Sequence, residues 1–284
     1  MPQLTSTGPQ WRKAEIFHRL HQGPCFIMPN PWDAGSARLL AGLGFSALAT
    51  TGAGFAFSRG QQDFSSNRDD MLSHLRTIVA ATELPVSADL ENGFGHSPET
   101  VADAILAAAG CGVVGASIED ASGEADTPIY DLGHATERIR AAAEAARSRP
   151  FKFTLTARAE NYLYGRPDLK DTIARLQAYQ EAGADVLFAP GLTHGNDIAA
   201  VVSAVDKPVS VIMGFQGAQL SQGQLAALGV KRISVGGSLA RAAYGALLRA
   251  GQEMRQRGTF NYAADAVTGK EMNALFSGFA ADRF

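Results

Sequence analysis

Acidic residues in this 284-residue chain collect where short apolar runs end. Positions 85–95 read Pro-Val-Ser-Ala-Asp-Leu-Glu-Asn-Gly-Phe-Gly, and positions 114–120 read Val-Gly-Ala-Ser-Ile-Glu-Asp. Asp89 and Glu91, two apart, project to the same side of an extended chain, and the next run brings Glu119 alongside. Three converging carboxylates repel one another unless a cation compensates them. An all-oxygen donor set, without Cys or His, suits Mg²⁺, with Mn²⁺ as an alternative, rather than zinc. The competing reading is exposed loop carboxylates, or acids paired with nearby arginines. Two adjacent acid-ended runs, with Gly93 and Gly95 allowing a tight turn, favour the metal.

A third run ends Thr-Leu-Thr-Ala-Arg158-Ala-Glu160-Asn161. Arg158 offers a planar fork for a carboxylate or phosphate, or else a salt bridge to Glu160 or Glu119, and the sequence leaves both open. The small residues Thr50-Thr51-Gly52-Ala53-Gly54 and the Gly236-Gly237-Ser238 step carry backbone N–H groups that could cradle an anionic oxygen. Each of these two is a weak signal on its own.

Residues of this kind need a scaffold that gathers strand ends. The chain supplies one by repeating a single theme, in which a short apolar run is followed by an Ala/Leu-rich helical stretch. The runs are 25–29, 47–51, 85–90, 113–119, 152–158, 184–190, 208–213 and 230–236. Their spacing is roughly the thirty residues of a βα unit. Several are continuously apolar, as strands covered on both faces require. Helical periodicity marks 11–21, 34–43, 101–109, 172–182 and 239–254, and Gly stands before many strands, where a helix stops in the left-handed region. Eight strands in simple alternation, without GxGxxG after the first, predict one (β/α)8 TIM-type barrel rather than an open doubly wound sheet. The barrel core is expected over about 24–256 of a single domain 1–284, with a C-terminal helical tail at 259–284. Segments 51–67 and 120–132 are expected to be long, mobile loops at the active-site end.

Composition bounds the partners. Lys+Arg 25 against Asp+Glu 28 gives a net charge of -3, with no block of like charge. That pattern points to a small-molecule ligand rather than nucleic acid or a membrane surface. Cys25 and Cys111 read as buried small hydrophobes, not a disulfide framework. The polar first ten residues and the lack of a membrane-length apolar run predict a cytoplasmic protein.

The motifs together resemble the isocitrate lyase / phosphoenolpyruvate mutase superfamily over nearly the whole chain. The resemblance is carried by Asn30-Pro-Trp-Asp-Ala-Gly-Ser-Ala-Arg38-Leu-Leu, Gly-Phe-Ser-Ala-Leu-Ala-Thr-Thr-Gly at 44–52, the 85–95 and 114–120 blocks, and Thr156-Ala-Arg158. It implies Asp89, Glu91 and Glu119 around Mg²⁺, largely through water, with Asp63 contributing from the loop after strand two. It also implies Thr51 and Gly52, beside Ala53, holding a substrate carboxylate through amides while Arg158 grips its other end. Arg158 and Asp63 are thereby the expected catalytic residues. The implied activity is a lyase that cleaves or decarboxylates a small 2-oxo- or 2-hydroxy-dicarboxylate through a pyruvate-enolate-like intermediate. The implied assembly is a homo-oligomer, dimer or tetramer, with its last helices exchanged between subunits.

The lid departs from the family pattern. Isocitrate and methylisocitrate lyases carry Lys-Lys/Arg-Cys-Gly-His after the fourth strand, whereas this chain has Asp120-Ala-Ser-Gly-Glu-Ala-Asp-Thr-Pro-Ile-Tyr130. Ser122 is far harder to ionise than a thiol, which argues against those two activities. Tyr130, Ser122 or a metal-bound water remain as proton-transfer groups. The mutase's lid Asn and Lys have no match, and its histidine after strand six falls at Pro190. A phosphonopyruvate-type P–C bond enzyme, mutase or hydrolase, and a non-catalytic dicarboxylate-binding homologue are the alternatives.

Overall fold

The computed structural model describes residues 8–215, 217 and 219–278. Its eight strands are β1 Phe26–Met28, β2 Leu48–Ala49, β3 Val86–Asp89, β4 Gly115–Glu119, β5 Thr154–Arg158, β6 Val186–Phe188, β7 Val209–Ile212 and β8 Arg232–Ser234. They form one parallel sheet in the order β1-β8-β7-β6-β5-β4-β3-β2. Between β1 and β2 the Ala49 N–H donates to the Pro29 carbonyl at 3.1 Å, so the sheet closes into the expected (β/α)8 barrel. Helix Pro9–Leu20 precedes β1, and a helix follows every strand.

The helices start where short polar residues can accept an orphan N–H. Asp33, Asn67, Ser97, Asp131, Asp168 and Ser221 each do so three residues before the N–H donor they serve. Several stop at or just before a glycine. Gly112 (φ +97°) and Gly229 (φ +88°) turn the chain in the left-handed region. A Cβ there would meet Val79 Cγ1 at 2.9 Å or Val202 Cγ1 at 2.8 Å on the neighbouring helix, so both torsion and space demand glycine.

The apolar core lies between the barrel and its helices, where Leu48, Met71, Ile105, Ile118 and Leu176 are fully buried. Cys25 and Cys111 are buried free thiols, as expected. The strands differ from expectation in pattern. β1 and β6 are continuously apolar, but β3, β4, β5 and β8 carry polar residues at alternate positions: Ser87 and Asp89, Ser117 and Glu119, Thr156 and Arg158, Arg232 and Ser234. All of these but Thr156 line a cavity, and Thr156 accepts from the Arg232 side chain. The other difference is segment 51–67, whose first half is the helix Gly52–Ser58. Thr51 Oγ1 caps it by accepting from Gly54 N–H at 3.2 Å, and Phe55 stacks on His74 with ring centroids 4.1 Å apart.

Two neighbouring glycines therefore respond oppositely to alanine. Gly112→Ala is expected to lower unfolding free energy by about 1–3 kcal/mol through backbone strain. Gly110, a helix-end residue with open space around its Cα, should gain about 0.4–1 kcal/mol as alanine. Urea midpoints at constant m-value check the pair; equal shifts would contradict the packing described.

Candidate active site

The carboxyl ends of the strands open into a cavity of about 250 Å³, to which all eight strands contribute: Met28, Ala49, Asp89, Glu119, Arg158, Phe188, Ile212 and Ser234 are among its walls. This is the end at which a (β/α)8 barrel places its chemistry.

Arg158 and Glu119 lie directly opposite each other in the β4–β5 register. All three nitrogens of the Arg158 guanidinium face carboxylates. Nη1 reaches Asp89 Oδ1 at 3.0 Å, Nη2 reaches Glu119 Oε2 at 2.9 Å, and Nε donates to Glu160 Oε1 at 2.8 Å. Of the two roles open in the sequence, the ion pair is made here, to Asp89 as well as to Glu119 and Glu160. Asp89 is held on its other edge by the Gly52 N–H at 3.0 Å, while its own N–H donates to Thr50 Oγ1 at 2.9 Å. The amide assigned by resemblance to a substrate carboxylate thus serves the Asp89 carboxylate. Thr51 and Ala53 line the cavity.

Glu91 arrives by a different route from the one expected. β3 ends at Asp89, and Glu91 has φ +50°, a left-handed conformation unusual for a side-chain-bearing residue. Same-side projection along an extended chain therefore does not apply. A tight turn, closed by Gly93 N–H on the Leu90 carbonyl at 2.8 Å, swings the carboxylate under Gly52. A Cβ on Gly52 would collide with Glu91 Oε1, so this approach requires glycine.

Glu91 and Glu119 are buried, and Glu91 Oε1 and Glu119 Oε1 have no hydrogen-bond partner among the described residues. Burial, then the charges of Asp89 and Asp63, pushes the Glu91 carboxyl up to about 8. Burial also raises Glu119, with Arg158 opposing. Asp63, on the exposed segment after helix Gly52–Ser58, lines the same cavity and is raised by desolvation and by Asp89. Two orphaned buried carboxylate oxygens beside further acids are the donor set of a hard cation. No group of three or more His, Cys, Asp or Glu side chains among the described residues is gathered closely enough to chelate one unaided. The residues fit a cation held in part through water.

The neighbouring acid, Asp120, is structural. Oδ2 accepts from Tyr179 OH at 2.6 Å and Arg175 Nη1 at 3.0 Å, and Oδ1 accepts the Glu160 N–H at 2.8 Å. Arg175 also donates to the Tyr130 carbonyl at 2.9 Å, which ties segment 120–131 to the barrel. Within that segment Ser122 Oγ donates to the Thr127 carbonyl, and Tyr130 OH lies 2.7 Å from His96 Nδ1. Both proton-transfer side chains considered from sequence are thus engaged away from the cavity walls. Arg175 and Tyr179 escaped sequence reading, although an arginine at helical spacing on the buried face of Leu169–Ala182 was the signal. Arg232, an arginine inside the apolar run 230–236, also lines the cavity and was passed over.

Comparison with known proteins agrees with this architecture. The family model of phosphoenolpyruvate phosphomutase matches residues 17–255. The crystal structure of a candidate lyase/mutase from Burkholderia cenocepacia J2315 is 62% identical, covers 97% of this chain and 99% of its own, and superposes with a TM-score of 0.94. An oxaloacetate decarboxylase of Bradyrhizobium diazoefficiens is 30% identical over 69% of each chain. The structure of a 2,3-dimethylmalate lyase is 26% identical, covering 93% of this chain and 94% of its own, with a TM-score of 0.82.

The shifted glutamate makes stability depend on pH. Its carboxyl ionises near 4.5 when unfolded and about 8 when folded, so across that window the folded state holds a proton the unfolded chain has released. This group's contribution accordingly falls as pH rises from about 4.5 to about 8 in chelator-treated protein. Glu91→Gln should remove that slope in urea melts. A variant that keeps the wild-type pH dependence would refute the buried, proton-holding state.

Proposed function

The chain belongs to the isocitrate lyase / phosphoenolpyruvate mutase superfamily, and from that premise we propose that it is a Mg²⁺-dependent carbon–carbon lyase for a small 2-oxo- or 2-hydroxy-dicarboxylate. The observation that carries this reading is the cavity wall itself, where Asp89, Glu91 and Glu119 converge and leave two buried carboxylate oxygens unpartnered. Relatives named for oxaloacetate decarboxylation and for cleavage of dimethylmalate support the substrate class.

Asp89, Glu91 and Glu119 would hold the ion, with Asp63 closing from the loop. When bound, it supplies positive charge where negative charge develops on the substrate's 2-oxygen. Arg158 fixes Asp89 and Glu119 in direction, because its guanidinium pairs with both, and at Glu119 its charge opposes the effect of burial. In a decarboxylation the bond to the departing carboxylate breaks, its electron pair passes toward the 2-oxo oxygen, CO₂ leaves, and a proton returns to carbon. Phe188, Leu163 and Phe215 on the cavity wall limit water around that carbanionic carbon.

The assembly implied by the family also has support in the surface. Helix Ser238–Arg257 leaves Leu247 and Leu248 each 64% exposed, an apolar face suited to a second copy of the chain. No helix among the described residues is long and apolar enough to cross a membrane. We place the enzyme in the cytoplasm as a single-domain homo-oligomer.

Turnover of oxaloacetate and 2-alkylmalates with Mg²⁺, read by release of pyruvate, tests the activity. Glu119→Gln should lower turnover by about 100-fold or more while the protein remains folded. Cys111→Ala, whose buried thiol donates to the Leu72 carbonyl at 3.5 Å, away from the cavity walls, should leave turnover unchanged. Metal-dependent binding of these acids without any turnover would instead favour a non-catalytic binding protein.

A further inference from the structure

Beneath the carboxylate cluster lies a second guanidinium. Arg232 is the first residue of β8, is 3% exposed, and forms part of the cavity lining. Interior positions of such barrels are dominated by branched apolar side chains. Here Arg232 Nε donates to Ser210 Oγ and Nη2 to Thr156 Oγ1, both at 3.0 Å, and Nη1 lies 3.2 Å from His21 Nε2.

All three partners are neutral. His21 Nδ1 lies 2.8 Å from the Phe17 carbonyl, an atom that can only accept, so the ring proton sits on Nδ1 and Nε2 offers Arg232 a lone pair. Burial first, then the charge of Arg232, pushes the imidazole down to about 3, which keeps it uncharged. No carboxylate forms an ion pair with Arg232 among the described residues. One N–H on each terminal nitrogen is left without an acceptor in the hydrogen bonds among those residues.

A buried charge without an opposite partner is costly, and an arrangement that fixes its geometry with three neutral groups does not remove that cost. Arg158 cannot offer an incoming anion an unshared charge, since its nitrogens already face Asp89, Glu119 and Glu160. Arg232 can, because its guanidinium is oriented, desolvated and unopposed at the cavity floor.

We propose that Arg232 is a substrate-binding residue, a fixed cationic floor that receives one carboxylate of a short dicarboxylate or 2-oxo acid. This rests on the reading of the cavity as the substrate site. An acid anchored there places its remaining carbons between the floor and the Asp89–Glu91–Glu119 cluster, so the floor sets both orientation and permitted length. The neutral anchors Thr156, Ser210 and His21 act as positioning residues for the guanidinium.

Calorimetric titration of the full chain with oxalate and with malonate, in Mg²⁺, tests this with Arg232→Met and Arg232→Gln. Both variants should lose affinity for the two dianions by about tenfold or more, the scale of a charge-assisted hydrogen-bond pair. Arg232→Met should melt no lower than wild type, since a lone buried charge has been replaced by an apolar side chain. If it fails to fold, Arg232→Gln, which retains hydrogen bonding to the hydroxyls, decides. Unchanged dianion affinity in a folded variant overturns the proposal, as does a wild-type protein that binds neither acid. A loss of Mg²⁺ affinity as large as the loss of dianion affinity also overturns it, because the cluster itself would then have moved. Where turnover is found, KM should rise with kcat little changed. Arg232-dependent binding without turnover sinks the lyase reading and leaves the cationic floor standing.

Discussion

Carboxylates crowded around one buried cavity repel, and the rest of this site depends on how that repulsion is met. Arg158 meets part of it, reaching Asp89, Glu119 and Glu160 from a single guanidinium at 2.8–3.0 Å. An arginine suits the task because its planar fork is always charged and addresses several acceptors at once. It does not reach Glu91, nor the second oxygen of Glu119, and burial drives both groups toward their protonated forms. The unmet remainder is what a divalent cation would neutralise.

The scaffold keeps these groups from relaxing apart. Asp89, Glu119 and Arg158 are the last residues of three adjacent strands, so the parallel register sets their spacing before any side chain turns. Below them Thr156 and Ser210 replace the usual apolar layer and support Arg232. Beside them Asp120, Arg175 and Tyr179 tie segment 120–131 to helix Leu169–Ala182, while buried Arg138 donates to the carbonyls of Asn92, Gly95 and His96 and packs over Tyr130. The turn that carries Glu91 is therefore fastened from both sides. Its left-handed backbone is a local strain that the surrounding contacts can sustain.

The barrel was legible because its signals were periodic: eight apolar runs, helical stretches between them, and glycines such as Gly112 and Gly229 at the joins. The acid cluster was legible for a partly mistaken reason. Asp89 and Glu91 do share a cavity, but through a turn at Glu91 rather than extended alternation, and a positive φ at a glutamate leaves no mark in the sequence. Arg158's role was divided between two partners that residue type cannot distinguish; only the register opposite Glu119 decides it. An arginine on an apolar helix face or inside a strand, as at Arg175 and Arg232, is a departure that needs a cause, but residue type alone does not name its partner. Helix Gly52–Ser58 was hidden by its glycines, which argue for a loop until Thr51 is seen capping it.

The account requires Mg²⁺ to displace a proton from a buried glutamate, since metal ligands must be deprotonated and Glu91 is held up to about 8. Calorimetric Mg²⁺ titrations in buffers of different ionisation enthalpy measure that directly. At neutral pH, wild-type protein should release at least about one proton per ion bound, and Glu91→Gln should release markedly fewer. Binding of Mg²⁺ with no proton release in the wild type, or no binding at all, would contradict the charge balance on which the site is built.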